Sequence, residues 1–414
     1  MRVQKISLLA AGISLAFAAQ AAEVEVLHYW TSGGEAKSAA ELKKMVEGKG
    51  HKWKDFAVAG GGGENAMTAL KTRVVSGKAP AAAQIKGPSI QEWGSEGVLA
   101  SIDDVAKKDG WDKVLPPVVA NIMKYKGQYV AAPVNVHRVN WMWVNPELFK
   151  KANTKVPTTW DEFFVSAAAL QKAGILPVAY GGQPWQDSTV FESGALGVGG
   201  VDFYKKAFVQ LDAGTLAGPT MVKVLETYKK IKPFTDKNSA GREWNLSTSM
   251  VINGKAAMQF MGDWAKGEFT AAGKVPGKDF VCVAAPGTAN AFTFNIDSFA
   301  MFKLPNKDAE KGQKELATTL MSPAFQEVFN LNKGSIPARM GMDMAKFDEC
   351  AKKSAEDFKT SATKSSLVPS WAHGMAMKSA TQGAMFDVVT QYWNDDKMTA
   401  KAAAAKLVGA SKTM

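Results

Sequence analysis

The chain has 414 residues, and its 50 Lys and Arg against 39 Asp and Glu give a formal net charge of +11. The lysines are spread along the sequence and mixed with acids, as in "KKSAEDFK" and "KDAEKGQKE". That mixture indicates solvated helix faces rather than a surface that binds nucleic acid. One hydrophobic core rarely serves more than about 300 residues, so two domains are expected.

The first 21 residues have the pattern of a secretory signal peptide. Arg2 and Lys5 precede an apolar run at 6–17, and Ala19-Gln20-Ala21 forms an A-x-A cleavage site. No other stretch reaches the roughly 18 apolar residues that a membrane-spanning helix needs. We therefore expect a mature periplasmic protein that begins near Ala22 and carries a charge of +9, because two basic residues are removed (11 − 2 = 9).

Strands and helices alternate from residue 24 onward. "VEVLHYW", "HKWKDFAVAG" and "AAAQIKG" predict three strands, separated by the helical patterns "EAKSAAELKKMVEGKG" and "NAMTALKTRVVSGK". This βαβαβ order favours an α/β fold with a parallel-rich sheet covered by helices on both faces. Ligands of such sheets bind at the carboxyl ends of the strands, where this sequence has Trp30, Gly60–Gly63 and Lys86.

Motifs for nucleotide, metal or covalent chemistry do not stand out. The glycines at 60–63 lack the Lys-Ser/Thr pair of a phosphate loop, and a flexible strand-to-helix turn explains them better. The four histidines lie far apart, with no HExxH, no CxxC and no G-x-S-x-G motif. A pair of glycosidase carboxylates stays open, because their spacing is spatial. We expect no nucleotide, metal or other cofactor.

The two cysteines, Cys282 and Cys350, form an even pair in an oxidising compartment. A disulfide between them would close a loop of about 70 residues and stabilise the fold by roughly 4 kcal/mol in the chain-entropy model. Two separate buried thiols are the alternative.

Five segments in order resemble the extracellular solute-binding proteins of ABC sugar importers, the family that includes maltose-binding protein. They are "SGKAPAAAQIKG", "EWGSEGVLASIDDVA", "YKGQYVAAPVNVHRVNWMWVNPELFKKANTKVPTTWDEFFVSAAAL", "VINGKAAMQFMGDWA" and "NKGSIPAR". Together they extend over nearly the whole mature chain. Two positions depart from the family pattern: Ala82 replaces a usual Asp, and Trp143 a common Tyr.

This resemblance implies a two-lobe periplasmic binding protein fold with a ligand cleft between the lobes. The chain would cross between lobes near Pro133, near Phe292 and after Pro337. The implied domains are the signal peptide at 1–21, an N-terminal lobe at 22–132 and 292–338, and a C-terminal lobe at 133–291 and 339–414. The implied function is capture of a monosaccharide, most similar to the glucose-binding branch, for delivery to a membrane permease. We expect a monomer without catalytic residues.

Sugars present two kinds of surface, and the end of the first strand supplies groups for both. Hydroxyls bond strongly to ionised partners, and the C–H faces of a sugar ring stack on aromatic rings. Tyr29, Trp30 and Glu35 offer both within seven residues. The alternative is that the rings belong to the core and that Glu35 stabilises the first turn of a helix.

The strand "TFNIDSFAMF" contains the sharpest local signal. Asn295 and Asp297 alternate in an otherwise apolar strand, so both side chains point to one face. Buried there, they need polar partners. Sugar hydroxyls in a cleft would supply these partners, and a structural network at the hinge is the alternative.

Four more positions, Lys86, Trp264, Lys333 and His373, resemble the contacts of the glucose-binding branch. The alternatives are surface exposure for the two lysines, core packing for Trp264, and an ordinary surface or core histidine for His373. The full set of predicted ligand-binding residues is Tyr29, Trp30, Glu35, Lys86, Trp264, Asn295, Asp297, Lys333 and His373. Trp185, His137 and Trp371 are less favoured candidates.

Two other functions fit parts of the sequence. A secreted carbohydrate-active enzyme would form products from sugars. A polyamine-binding protein would use Glu35 and Asp297 for a cation, but Lys86 and Lys333 suit a neutral polyol better.

Overall fold

The computed structural model describes residues 22–413, so the predicted signal peptide lies outside the described residues. The strands are β1 (Glu23–His28), β2 (Lys52–Ala57), β3 (Ala82–Gln84), β4 (Lys124–Tyr125), β5 (Gln128–Tyr129), β6 (Ala131–Pro133), β7 (Asn135–Arg138), β8 (Trp141–Val144), β9 (Leu176–Val178), β10 (Ala256–Phe260), β11 (Val281–Ala284), β12 (Phe292–Asn295), β13 (Ser298–Met301), β14 (Ile336–Pro337) and β15 (Leu367–Pro369).

The helices surround these strands. They are α1 (Gly33–Glu47), α2 (Glu64–Val75), α3 (Ser89–Ser95), α4 (Asp103–Lys108), α5 (Trp111–Val114), α6 (Pro117–Ile122), α7 (Pro146–Lys151), α8 (Trp160–Lys172), α9 (Pro184–Tyr204), α10 (Ala213–Ala217), α11 (Pro219–Lys229), α12 (Trp244–Ile252), α13 (Trp264–Ala271), α14 (Lys307–Met321), α15 (Pro323–Lys333), α16 (Glu349–Thr363), α17 (Ser379–Asn394) and α18 (Ala400–Ala410). Short 3-10 turns occur at Gly61–Gly63 and Lys232–Phe234, and a π turn at Lys205–Val209.

Three larger sheets and the two-stranded sheet β4-β5 organise the described residues. The first sheet has the order β2-β1-β3-β13-β6, the second β11-β8-β10-β9, and the third, here called the hinge sheet, β14-β7-β12-β15. The pairs β1–β2 and β1–β3 are parallel, as the βαβαβ pattern predicts. The prediction of parallel-rich sheets does not extend further: β13 runs antiparallel to β3 and β6, and β8 runs antiparallel to β10 and β11, so the sheets are mixed.

Two separate hydrophobic cores form around the first and second sheets, and we call the corresponding parts of the molecule the first and second lobes. The first core takes buried residues from 24–136, 292–302 and 316–358, together with Met375. The second takes most of its residues from 139–291 and 368–410. Since burial of apolar surface is the main driving force of folding, each core can support a lobe of its own. This confirms the two-domain expectation.

The hinge sheet lies where the chain passes between the cores. The segments predicted to cross near Pro133, near Phe292 and around Pro337 contribute β7, β12 and β14 to this sheet. The exact lobe boundaries that the resemblance implies stay a prediction.

Local signals explain several helix ends. Thr159 caps α8 in a reciprocal capping box with Glu162, as "PTTWDEF" predicts. α15 ends at Gly334, whose φ of 92° is in the left-handed region that favours glycine. A Cβ at this glycine would also lie 2.4 Å from the carbonyl oxygen of Asp263 in the second lobe. Only a residue without a side chain lets the two backbones meet there.

Between residues 22 and 413, no helix has the length and apolar character needed to cross a bilayer.

The structure pairs Cys282 of β11 with Cys350 at the start of α16 in a disulfide, as expected from the sequence. Their separation of 68 residues includes β12, β13, α14 and α15, so the bond ties the edge of the second sheet to the helix that packs on the hinge sheet.

We predict that replacing both cysteines by serine lowers the free energy of unfolding by up to about 4 kcal/mol, because the denatured chain regains the freedom of a long loop. Denaturant titration of the parent and the double variant measures this difference. Thiol labelling of parent protein purified under non-reducing conditions should find no free thiol. Two reactive thiols in the unfolded parent would contradict the pairing.

Candidate functional site

A cavity of about 1280 Å³ lies between the two lobes. All nine residues predicted to bind ligand line it, and so do two of the less favoured candidates, His137 and Trp185. The third, Trp371, is fully buried in the second core, where it stacks on Phe208 at 5.4 Å between ring centroids. Whether the nine contact a ligand stays a prediction, but the fold brings them to one place.

Strand ends supply the first-lobe side of the cavity. Tyr29 and Trp30 follow β1, and Lys86 lies just after β3. These parallel strands are neighbours, so their carboxyl ends meet at one edge of the sheet, as the rule for open α/β sheets predicts. The amide of Gln84 fixes the first loop, since its Oε1 accepts from the Tyr29 N–H at 3.2 Å.

The glycine turn at 60–63 forms part of the rim. Gly62 has a φ of 60°, and a Cβ there would lie 3.0 Å from the Trp185 indole of the second lobe. Gly63 has a φ of 110°, and a Cβ there would lie 2.9 Å from the Tyr29 ring. The turn is glycine-rich because it passes close to two aromatic rings, so the expected flexible turn has a steric role at the cavity.

Trp30 fits both interpretations given to it. Its ring lines the cavity, yet it is only 2% exposed and packs at 5.4 Å from Phe299 and 5.0 Å from Phe329. Removing it would therefore create a hole in the first core. Trp264 and Trp185 of the second lobe, with ring centroids 6.4 Å apart, are aromatic surfaces outside that core.

Two buried ion pairs lie along the wall of the cavity. Lys333, the last residue of α15, bonds to Glu35 in the first turn of α1, and both side chains are buried. Asp297 accepts through Oδ2 from His137 Nε2 at 3.0 Å and from Asn135 Nδ2 at 3.3 Å. Burial acts to raise the pKa of Asp297, but the charge and hydrogen bond of His137, together with Lys333 and Lys86, hold it well below its usual range.

Lys86 differs from these groups, because the described residues give its Nζ neither a hydrogen bond nor a salt bridge. The ammonium lies 5.7 Å from the centre of the Tyr29 ring. Burial lowers the pKa of Lys86, although the negative charges of Asp297 and Glu35 act in the opposite direction. It is a cation that faces the cavity and has no protein acceptor within residues 22–413.

Two amide groups on the cavity wall also lack partners. Asn295 Oδ1 and Gln84 Nε2 are buried and make no hydrogen bond to the described residues. Such groups cost about 1–3 kcal/mol each when they stay unpaired. One is an acceptor and the other a donor, which is the combination that a hydroxyl group satisfies.

His373 is held in place by a buried carboxylate. Glu192 of α9 accepts from Ser370 Oγ at 2.7 Å and from the Trp371 N–H at 2.7 Å, and Ser370 Oγ accepts from the His373 N–H at 3.1 Å. Burial raises the pKa of Glu192 to about 7. Burial, Lys86 and His137 lower the pKa of His373 well below its usual value, so its ring is neutral. A neutral ring can both donate and accept.

Sequence reasoning missed several lining residues. Gln84, Glu243, Trp244 and Asn245 line the cavity but were not predicted. Gln84 could have been found, since it is a polar residue in the strand "AAAQI". The other three lie at the start of α12, and nothing in the local sequence predicts that the preceding loop brings them to the cavity.

Known proteins resemble this chain over most of its length. The family model described as bacterial extracellular solute-binding protein matches residues 33–327. The chain belongs to this family. The solute-binding protein is 48% identical over 404 residues to a probable sugar-binding periplasmic protein of Brucella suis biovar 1, covering 98% of this chain and 95% of that protein. It is also 48% identical over 396 residues to a protein of the same description from Rhizobium meliloti, covering 95% of each.

Solved structures agree on the architecture. A chitin oligosaccharide binding protein matches with a TM-score of 0.80 at 19% identity, over 94% of this chain and 98% of that one. At this identity the likeness concerns the fold alone. It confirms the α/β two-lobe periplasmic binding protein fold, with mixed rather than parallel-rich sheets.

The two cavity lysines should differ in their effect on stability. We predict that Lys333→Met lowers the free energy of unfolding by about 3–5 kcal/mol, because Glu35 is left as a buried charge without its partner. Lys86→Met should leave that free energy equal or higher, because it removes an ammonium that no described residue pairs. Chemical denaturation of the ligand-free proteins compares them. A Lys86→Met protein as destabilised as Lys333→Met would show that Lys86 has a structural acceptor.

Proposed function

We propose that this solute-binding protein is the periplasmic component of an ABC importer, that it captures a neutral sugar in the interlobe cavity, and that it delivers the sugar to a membrane permease. The unpaired Asn295 and Gln84 amides in an aromatic-lined cavity carry this proposal. Hydroxyls would satisfy both amides, while Trp264 and Tyr29 would cover the C–H faces of a sugar ring. The sugar-binding relatives support the same ligand class.

The charges of the inner part of the cavity favour a neutral ligand. There Glu35 and Asp297, with Asp263 behind His137, contribute three negative charges, and Lys86, Lys333 and a protonated His137 contribute three positive ones. The other charged lining residues are exposed or half-buried: Glu64, Lys71, Glu92, Glu96 and Glu243. A polyamine would bring uncompensated positive charge into a buried site, which is costly. This balance is the reason to prefer a sugar over a cation.

Glucose is the first sugar to test, followed by short oligosaccharides. The volume of about 1280 Å³ exceeds the roughly 300–1,000 Å³ typical of pockets for drug-sized ligands, so it has room for more than one ring. We further propose that the lobes, divided at 132/133, 291/292 and 338/339, close on the sugar by motion at the hinge sheet. A ligand stabilises closure only through its higher affinity for the closed form. No bond of the sugar is made or broken.

We predict that a hexose, glucose first, raises the melting temperature, because a ligand at 100 times its Kd adds about 2.7 kcal/mol to stability. A thermal-shift panel should include mono-, di- and trisaccharides, spermidine and a nucleotide. A shift with spermidine and none with any sugar would end the sugar proposal. Recovery of the bound sugar unchanged, judged by mass spectrometry, separates this function from that of a carbohydrate-active enzyme.

We predict that Asp297→Asn weakens sugar binding by one to two orders of magnitude in Kd, since a hydrogen bond to a charged group contributes about 1.5–3 kcal/mol. The matched control is Asp103→Asn. Asp103 accepts from the Tyr129 N–H at 2.8 Å, away from the cavity, so the sugar Kd should stay at the parent value. Titration calorimetry on folded variants measures both. Equal Kd values for Asp297→Asn and the parent would show that the ligand lies elsewhere.

A further inference from the structure

His137 occupies a position between the two lobes that the sugar-contact hypothesis does not use. It lies in β7 of the hinge sheet and is 1% exposed. Its Nδ1 contacts Asp263 Oδ1, and its Nε2 lies 3.0 Å from Asp297 Oδ2. Asp263 immediately precedes α13 of the second lobe, and Asp297 lies between β12 and β13, where the chain enters the first sheet. One ring therefore joins carboxylates on the two sides of the hinge.

The two carboxylates beside the ring nitrogens favour one protonation state of His137. A neutral imidazole has a single N–H, so it can donate to only one of two carboxylates. Asn135 Nδ2 lies 2.9 Å from His137 Nε2 and 3.3 Å from Asp297 Oδ2, and Asn135 Oδ1 accepts from the Asp297 N–H at 3.0 Å. An unprotonated Nε2 could accept from this amide, but its lone pair would then lie 3.0 Å from the Asp297 carboxylate oxygen. With both ring nitrogens protonated, each carboxylate receives an N–H from the ring. Burial acts to lower the pKa of His137, but Asp263 and Asp297 outweigh it and raise the pKa.

Two groups that face the cavity, the Asp297 carboxylate and the Trp264 indole, depend on contacts around the His137 ring. Oδ2 of Asp263 accepts from the Arg138 N–H at 2.9 Å, and the Asp263 N–H donates to the Arg138 carbonyl at 3.0 Å. The next residue is Trp264, whose ring lies edge-on to His137 with centroids 5.2 Å apart. The carboxylate of Asp297 and the indole of Trp264 are thus set by contacts to the same imidazole.

We propose that His137 is a positioning residue of the cavity: its imidazolium holds Asp297 and the Asp263–Trp264 segment at the separation that grips the ligand. This inference rests on the proposed sugar function. It goes beyond that function by making affinity depend on the protonation of a ring that acts through Asp297 and the Asp263–Trp264 segment. The charged and titratable groups around the ring are Asp263, Asp297, Arg138, Lys86, Lys333 and His373.

The raised pKa of His137 sets the direction of the pH dependence. The imidazolium is present below that pKa and is lost as the pH rises through it. Sugar affinity should therefore be highest at the acid end of the profile and fall as the pH rises through the pKa of His137. Lys86 also loses its proton on the alkaline side, so the parent profile alone does not separate the two groups. A variant that lacks the imidazole separates the effect of His137 from that of Lys86.

The test is titration calorimetry with the sugar that gives the largest thermal shift, from pH 6.5 to 9.5. We expect His137→Gln, which cannot donate to both carboxylates, to bind at least tenfold more weakly at pH 7 and to lose most of the alkaline fall. His51→Gln removes a histidine that precedes β2 outside the cavity, and it should keep the parent Kd and profile. A His137→Gln protein with the parent Kd and profile would overturn the proposal.

Nitrogen-15 spectra of the histidine side chains in the parent protein keep the test independent of the variant's folding. We expect one ring, assigned to His137, to be an imidazolium at pH 7.5. A neutral His137 at that pH would overturn the proposal even if sugars bind. If no sugar binds the parent, the sugar function fails, and these spectra still decide whether the ring bridges the two aspartates.

Discussion

The buried carboxylate of Asp297 is the constraint around which the cavity is organised. It is 3% exposed and lies where the chain leaves the hinge sheet for the first sheet. An ionised group at such a depth persists only with donors and opposite charge close by. His137 supplies a donor, and Lys333 and Lys86 supply charge. Because Oδ2 faces His137 and Asn135 while the described residues leave Oδ1 without a bond, half of the carboxylate is available to a ligand.

Polar groups and close backbone approaches join the two lobes. The Gly34 N–H donates to Glu268 at 2.9 Å, and Ser379 donates to Glu92 through its N–H at 3.1 Å and its hydroxyl at 2.7 Å. The helix α13 of the second lobe also packs against α1 and α15 of the first. Glycines at 62 and 334 let the backbone of the first lobe approach Trp185 and the Asp263 carbonyl. The hydrophobic cores of the two lobes are separate clusters, so the proposed motion at the hinge sheet need not open either core.

Much of the architecture could be predicted from the sequence, and the reasons are local. The βαβαβ periodicity predicted the parallel β2-β1-β3 part of the first sheet and placed Tyr29, Trp30 and Lys86 at adjoining strand ends. The polar residues Asn295 and Asp297 in an apolar segment identified two polar groups of the hinge, but the prediction of one strand was wrong. The segment forms β12 and β13 of two different sheets, and Asp297 lies between them. The family resemblance supplied Trp264, Lys333 and His373, and all of these line the cavity. The ion pair of Glu35 with Lys333 shows that both belong to one network.

What could not be predicted depends on long-range pairing. The antiparallel insertion of β13 between β3 and β6 joins segments far apart in the chain, and no local pattern signals it. His137 meets Asp263 across 126 residues and Asp297 across 160, so its role appears only when β7, β12 and the start of α13 are assembled. The double nature of Trp30, core residue and cavity wall, likewise depends on Phe299 and Phe329.

A crystal structure of the protein with its preferred sugar tests the central claim most directly. We expect one sugar ring to lie between the lobes, with hydroxyls within hydrogen-bonding distance of Asp297 Oδ1, Asn295 Oδ1 and Lys86 Nζ, and with a C–H face on Trp264 or Tyr29. These are the groups that the described residues leave without partners or present to the cavity. A sugar bound outside the interlobe cavity, or one that leaves those three polar atoms to water, would contradict the account.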